Sequence, residues 1–193
     1  MEIQIPEEIL NKVYPDAVPT RSLVGRAFEL CHDPCIVILG QDPYPQPNIA
    51  NGIAFSNNLG IEMSPSLEVL WKELNRTHGI SQEAFEKKQN LEHWCGQGIL
   101  LLNSALTCRP GQAGSHVHHW RNFIHQTLAE LSFMTNRLYV LLGKKAQEFK
   151  SAIHSGNILE YAHPAADTYG GKKRFEGCGM FLEIDKYFKI NWI

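Results

Sequence analysis

Long apolar runs are missing from this chain. No segment approaches the ~20 apolar residues that a membrane span requires, so a helical membrane protein is excluded. The opening Met1-Glu2-Ile3-Gln4-Ile5-Pro6-Glu7-Glu8 is acidic and lacks the basic-then-apolar pattern of a signal peptide. The expected location is the cytoplasm of a bacterial or virus-infected cell, or the nucleus of a eukaryotic one. An excess of one charge sign is missing too. Lys and Arg number 18 against 20 Asp and Glu, a net charge of −2, and the pI is near 6.5. Nucleic-acid-binding domains often stand above pI ~9, so any DNA contact must rest on local patches such as Lys144-Lys145 or Lys172-Lys173-Arg174. Standing alone, a basic triplet reads as solvated surface. Cysteine is sparse and odd in number: Cys31, Cys35, Cys95, Cys108 and Cys178 have no disulfide-framework spacing. Four of them could serve an iron–sulfur cluster. However, three residues separate Cys31 from Cys35 where two are usual, and Cys35 opens a buried strand, so free thiols in a reducing compartment are the better reading. Nine histidines contain no zinc pattern, because His116-x-His118-His119 is not followed by a third ligand and a positioned base. Repeats, low-complexity segments and long linkers are also lacking, and a single domain over residues 1–193 is expected.

What is present is a recurring design. Ile36-Val37-Ile38-Leu39 stops at Gly40, and Gln41-Asp42-Pro43-Tyr44-Pro45 follows. The apolar run is too short and too β-branched for a helix and reads as a buried strand. Pro43 and Pro45 restrict φ on both sides of Tyr44, so Asp42 and Tyr44 are aimed. Ile99–Leu102 ends in Asn103, Leu138–Leu142 in Gly143-Lys144-Lys145, and Ile158–Ala162 in His163-Pro164, each again reading as a buried strand. Helical stripes fill the gaps: Leu67, Leu70, Trp71 and Leu74 behind a Ser64-Pro65 start, then Trp120 to Leu131, Ala146 to Ile153, and Phe181 to Phe188. An amino-terminal pair, around Ile9–Val13 and Leu23–Leu30, precedes the first strand. The alternation predicts an α/β fold, three layers α/β/α around a mainly parallel four-stranded sheet. In a parallel sheet all carboxyl ends share one edge, so Asp42, Asn103, Gly143-Lys144 and His163 should meet in one cleft. As single residues each reads equally well as a polar strand terminator.

Together these residue types suggest a reaction. An asparagine amide offers a donor beside an acceptor, which matches the carbonyl and N–H on one edge of uracil and not the reverse order on cytosine. A carboxylate beneath a sugar stabilises an oxocarbenium ion and orients water, and an imidazole stabilises the departing base, so Asp42 and His163 point to hydrolysis of an N-glycosidic bond. Phe55, in Gly52-Ile53-Ala54-Phe55-Ser56, reads equally as core or as a stacking platform for a base. Tyr44 reads as a rigid wall or as a turn aromatic.

These segments resemble the family-1 uracil-DNA glycosylases over most of the chain. Gly40-Gln41-Asp42-Pro43-Tyr44 is similar to that family's water-activating motif, and Gly52 to Ser56 to its uracil-stacking loop. Met63-Ser64-Pro65-Ser66-Leu67 is similar to the proline-rich loop that pinches the DNA backbone. Trp94 to Asn103, continuing through Leu106 to His116, resembles the uracil-recognition strand. The resemblance implies that Asp42 orients water and stabilises the sugar cation, and that a neutral His163 hydrogen-bonds uracil O2. It implies a uracil pocket of Gln41, Tyr44, Phe55 and Asn103, with Tyr44 set against the methyl of thymine. Backbone contacts are expected from Ser64, Ser66, Lys144 and Arg174. The target nucleotide leaves the duplex to react. No metal or organic cofactor is implied, and with no matched lysine nucleophile no Schiff-base strand cleavage is expected. Uracil-containing DNA is the implied partner, with a DNA-mimicking protein inhibitor or replication factors as protein partners; a monomer away from membranes is expected.

The chain also departs from that family. Pro45 stands where histidine is usual, which removes one phosphate contact. The family's His-Pro-Ser-Pro-Leu-Ser loop, whose leucine enters the base stack, is replaced by His163-Pro164-Ala165-Ala166-Asp167-Thr168. The leucine wedge is missing, and an aspartate facing phosphates would repel them; Tyr169 is expected to fill the gap, or Lys172, Lys173 and Arg174 to clamp the backbone instead. Gly143-Lys144 replaces the usual Gly-Ser and adds a positive charge at a helix start. These variants, with the terminal Ile190-Asn191-Trp192, resemble the poxvirus branch, whose members double as polymerase processivity factors. A catalytically weak accessory protein is therefore the alternative, and an exposed patch around Tyr187, Phe188 and Trp192 would favour it.

Overall fold

The computed structural model describes residues 3–134, 136–168 and 173–193. Four strands, β1 (Ile36–Gly40), β2 (Ile99–Asn103), β3 (Leu138–Leu142) and β4 (Asn157–Tyr161), form one sheet in the order β2-β1-β3-β4. All pairings are parallel. Every residue of β1, β2 and β3 is buried, which requires cover on both faces of the sheet. That cover comes from α1 (Glu7–Val13), α2 (Arg26–Leu30), α3 (Pro65–His78), α4 (Gln82–Glu86), α5 (Glu92–Cys95), α6 (Val117–Ser132), α7 (Lys144–Gln147) and α8 (Met180–Ile184). This is the three-layer α/β/α architecture expected from the alternation.

β4 departs from the expected buried run, for Asn157 and Glu160 are exposed and its other residues only partly covered. β4 and β2 are both edge strands, each paired with one neighbour, but α2 and α5 pack against β2 and keep it buried. Gly40 and Asn103 are ladder residues, whereas Ala162 lies just past β4. The expected stripe on α3 holds: Leu67, Leu70 and Leu74 are buried and Trp71 partly so. Pro65 opens the helix and Gly79 closes it at φ +69°, but Ser64 makes no side-chain cap bond. The stripe from Ala146 to Ile153 is broken into α7 and a 3-10 turn at Lys150–Ala152. α8 stops at Ile184, so Tyr187 and Phe188 lie beyond it. The short helices α4 and α5 present no stripe long enough to be read from periodicity. All five cysteines are free thiols.

Register sets the strand ends level. Gly40 sits beside Asn103, Leu39 beside Leu141, and Leu142 beside Tyr161. The chain winds outward to β2 on one side of β1 and to β3 and β4 on the other. The switch point thus lies at the carboxyl ends of β1 and β3, where such sheets bind ligands.

Candidate active site

β1 delivers the Gln41–Pro45 turn to that edge. The Gly40 carbonyl accepts the Ser104 N–H at 3.1 Å and the Gln41 carbonyl accepts the Ala105 N–H at 3.0 Å. The Ser104 hydroxyl also donates to the Gln41 carbonyl at 2.7 Å. These bonds fasten the segment after β2 to the segment after β1. The loop beyond then folds back: the Gly111 N–H donates to the Pro45 carbonyl at 2.9 Å, and the Gly114 N–H donates to the Asp42 carboxylate. Both glycines are left-handed, at φ +72° and +79°, where a side chain is disfavoured. Asp42 is therefore held from the far side of a turn that Pro43 and Pro45 already restrict.

Tyr44 donates its hydroxyl to the Phe55 carbonyl at 2.9 Å, so the two aromatics flanking the Asp42 turn are tied together. Phe55 itself has φ +65°, a strained conformation for a bulky residue of the kind that clusters at functional sites. Its ring centroid lies 5.5 Å from that of His163. Gly40 makes room for the group, because a Cβ there would stand 2.8 Å from Asn103 Oδ1 and 2.8 Å from Phe55 Cζ. Asn103 is 8% exposed, and among the described residues no hydrogen bond engages its amide, which leaves both polar atoms for a ligand.

His163 follows β4 and opens the 3-10 turn Pro164–Asp167, its Nδ1 accepting the Ala165 N–H at 3.1 Å. An Nδ1 that accepts places the ring proton on Nε2. Gly143, at φ +87°, lets the imidazole approach β3, since a Cβ there would lie 2.8 Å from the His163 Cβ. Asp42, Tyr44, Phe55, Asn103 and His163 all line one cavity, with Ser66 in its wall. The convergence expected from strand order is met for Asp42, Asn103 and His163. Gly143 supports the imidazole from behind, and Lys144 lies outside the cavity.

Burial separates the two ionisable groups. Desolvation pushes the His163 imidazole down to about 4 and keeps it neutral. Desolvation also raises the Asp42 carboxyl, opposed by the Gly114 N–H and the Gln41 amide, which favour the carboxylate. Burial likewise raises the Tyr44 phenol. The cavity therefore presents a carboxylate opposite a neutral N–H donor.

The residues expected to touch a DNA backbone are more scattered. Ser64 is partly exposed at the head of α3, and Ser66 is buried. Lys144 and Arg174 are exposed. Lys173 pairs with Glu176 at 2.5 Å. Tyr169 and Lys172 lie outside the described residues. Asp167 does not face outward as expected: its carboxylate accepts the backbone N–H groups of Arg174, Phe175 and Glu176. Among the described residues no three His, Cys, Asp or Glu side chains converge on a point that could hold a metal. His116 is instead buried, its Nδ1 hydrogen-bonded to the Thr107 hydroxyl at 3.0 Å, and that hydroxyl accepts from the Trp120 indole at 2.7 Å.

The carboxyl-terminal aromatics also turn inward. Trp192 is 3% exposed and packs 4.7 Å from Phe181 and 5.1 Å from Trp94. The exposed patch that would have favoured the accessory-protein reading is reduced to Tyr187 and a partly covered Phe188. Sequence reasoning named Gly40 and Gly143 at the strand ends but missed what they contribute, which is the absence of a Cβ beside Asn103, Phe55 and His163. It did not single out Gly111 and Gly114, whose backbone N–H groups hold Pro45 and Asp42.

A carboxylate, an imidazole and a free amide thus line one cavity at the carboxyl edge of a parallel sheet in an α/β fold. A family model described as the Uracil DNA glycosylase superfamily matches residues 28–189. The Uracil-DNA glycosylase of Flavobacterium johnsoniae is 35% identical over 185 residues, covering 90% of this chain and 82% of the relative. That of Desulfitobacterium hafniense is 36% identical over 197 residues, covering 97% and 85%. The chain belongs to the uracil-DNA glycosylase superfamily, a family of glycosidic hydrolases. Its fold matches the crystal structure of mimivirus uracil-DNA glycosylase with a TM-score of 0.80 at 23% identity, covering 93% of this chain and 73% of that one. A variant of the mimivirus protein solved in complex with UGI matches equally, with a TM-score of 0.80.

Proposed function

We propose that this protein removes uracil from DNA by hydrolysing its N-glycosidic bond, as a step of base excision repair. The observation that carries this reading is His163, neutral through burial, with Nδ1 occupied by the Ala165 N–H and its Nε2 proton left for the cavity shared with Asp42. The target nucleotide rotates out of the helix, because its glycosidic bond is unreachable within the stack. Phe55 stacks on the base, and the Asn103 amide donates to O4 and accepts from N3–H. Tyr44 stands where a 5-methyl group would lie. As the C1′–N1 bond breaks, its electron pair passes to the uracil, and negative charge on O2 is met by His163 Nε2–H. Asp42 stabilises the cationic sugar and orients the water that bonds to C1′; the proton this water sheds is taken up by Asp42 and passes through solvent to the uracil anion, leaving free uracil and an abasic site. The same face is proposed to meet proteins that imitate DNA, in line with the mimivirus complex with UGI.

The test is a DNA strand carrying one uracil, incubated with the protein and then treated with alkali to cut abasic sites. Cleavage at the uracil is expected, and an intact strand under conditions where a known glycosylase acts would refute the proposal. Asp42→Asn should lose on the order of a hundredfold or more in rate, as for other preorganised charge stabilisers, while still binding DNA. An unimpaired variant would remove Asp42 from its role.

A further inference from the structure

We propose that Asp167 is a positioning residue for the grip on DNA, fastening Arg174 to the turn that carries His163; this rests on the DNA-binding reading above. Asp167 closes the 3-10 turn whose first cap is His163. Its carboxylate accepts three successive backbone N–H groups, Arg174 at 2.6 Å, Phe175 at 3.0 and 3.1 Å through its two oxygens, and Glu176 at 2.8 Å. Such charge-assisted bonds are among the stronger ones in proteins. Burial would raise this carboxyl, but the three donors outweigh it and hold Asp167 below the usual carboxylate range. The negative charge that would oppose a phosphate is thereby spent inward.

A second carboxylate continues the brace. Glu73 of α3, fully buried, accepts the N–H groups of Gly177 at 2.6 Å and Gly179 at 2.7 Å. Arg76 completes its shell with a two-pronged contact at 2.8 and 2.9 Å. Phe175, fully buried between these anchor points, pins the segment to the core. The backbone from 174 to 179 is thus fixed to the His163 turn at one end and to α3 at the other, and α3 begins at the Ser64–Ser66 segment beside the cavity. Two cations of this stretch are described. Lys173 is committed to Glu176, whereas the exposed Arg174 guanidinium has no ion pair or hydrogen bond among the described residues. The brace therefore anchors the backbone of one uncommitted cation beside the active-site turn.

Binding is measured by fluorescence anisotropy with a short labelled duplex carrying one uracil, in an Asp42→Asn background so that the probe is not consumed. Arg174→Gln should weaken affinity about fivefold at low salt and lower the slope of log Kd against log salt by about one, as for loss of one phosphate contact. Asp167→Ala should do the same, and the double variant should bind no worse than the weaker single, because the two residues act as one unit. Asp167→Asn, which keeps one accepting oxygen, should lose less, and it carries the same cycle if the alanine variant does not fold. Effects that multiply, a wild-type salt slope in the Asp167 variants, or a fall in excision rate with Kd unchanged would each overturn the proposal. Excision by the unsubstituted protein is assayed separately. Its absence would refute the glycosylase reading, while the affinity cycle would still decide this one.

Discussion

Replacing His163 by leucine should flatten the acid side of the stability curve. The imidazole is held near 4 by burial against an ordinary value of 6.5, so the unfolded chain takes up the proton first as pH falls. Stability from this group is whole above about pH 6.5, is lost progressively between there and about pH 4, and is gone below that. The full displacement corresponds to roughly 3 kcal/mol, of which about 2 kcal/mol falls between pH 7 and pH 5. For a chain of this size that is a difference in Tm of about 4–8 °C. The assay is urea unfolding of wild type and His163→Leu at both pH values, comparing the loss of stability on acidification. Glu73, Asp167, His93 and His116 also contribute to acid sensitivity, but they are common to both proteins and cancel. The variant also strands the Ala165 N–H, which lowers its stability at every pH without altering the slope. Equal losses in the two proteins, or an NMR titration of the His163 ring near 6.5, would refute the reasoning. Excision should fall in acid as Asp42, whose carboxyl is raised by burial, takes up a proton, with His163 remaining neutral to about pH 4.

Gly40→Ala places a Cβ 2.8 Å from Asn103 Oδ1 and Phe55 Cζ; KM for uracil-containing DNA should rise about tenfold with a stability cost of about 1–3 kcal/mol from overpacking, and unchanged kinetics would mean that neither side chain meets the base. Trp192→Ala should cost about 3–5 kcal/mol in a urea titration, because the indole fills the space between Phe181 and Trp94 and donates to Asp185 at 3.0 Å. A loss below about 1 kcal/mol would contradict its place in the core.

The amino-acid sequence by itself determined the strands, their parallel arrangement and the meeting of Asp42, Asn103 and His163. Those follow from local facts: short apolar runs ended by polar residues, helical stripes between them, and the rule that parallel strands share one carboxyl edge. Even the aim of Asp42 was legible, since prolines restrict the backbone wherever they occur. The partial exposure of β4 was not, because its Ile158 and Leu159 look like those of a central strand, and the cover that buries β2 at the opposite edge comes from helices elsewhere in the chain. Phe55 balanced between core and platform until its left-handed backbone and its tie to Tyr44 set it in the cavity wall. Asp167 read as facing outward and turned inward, and the sequence left the burial of Trp192 open, since their partners, the 174–176 backbone and the Trp94–Phe181 cluster, come from other parts of the chain. The Gly114 N–H on Asp42 and the burial of the His163 imidazole belong to the same class. Tertiary structure alone decided them, because a hydrogen bond between distant segments, or the loss of water around an imidazole, exists only once the chain has closed.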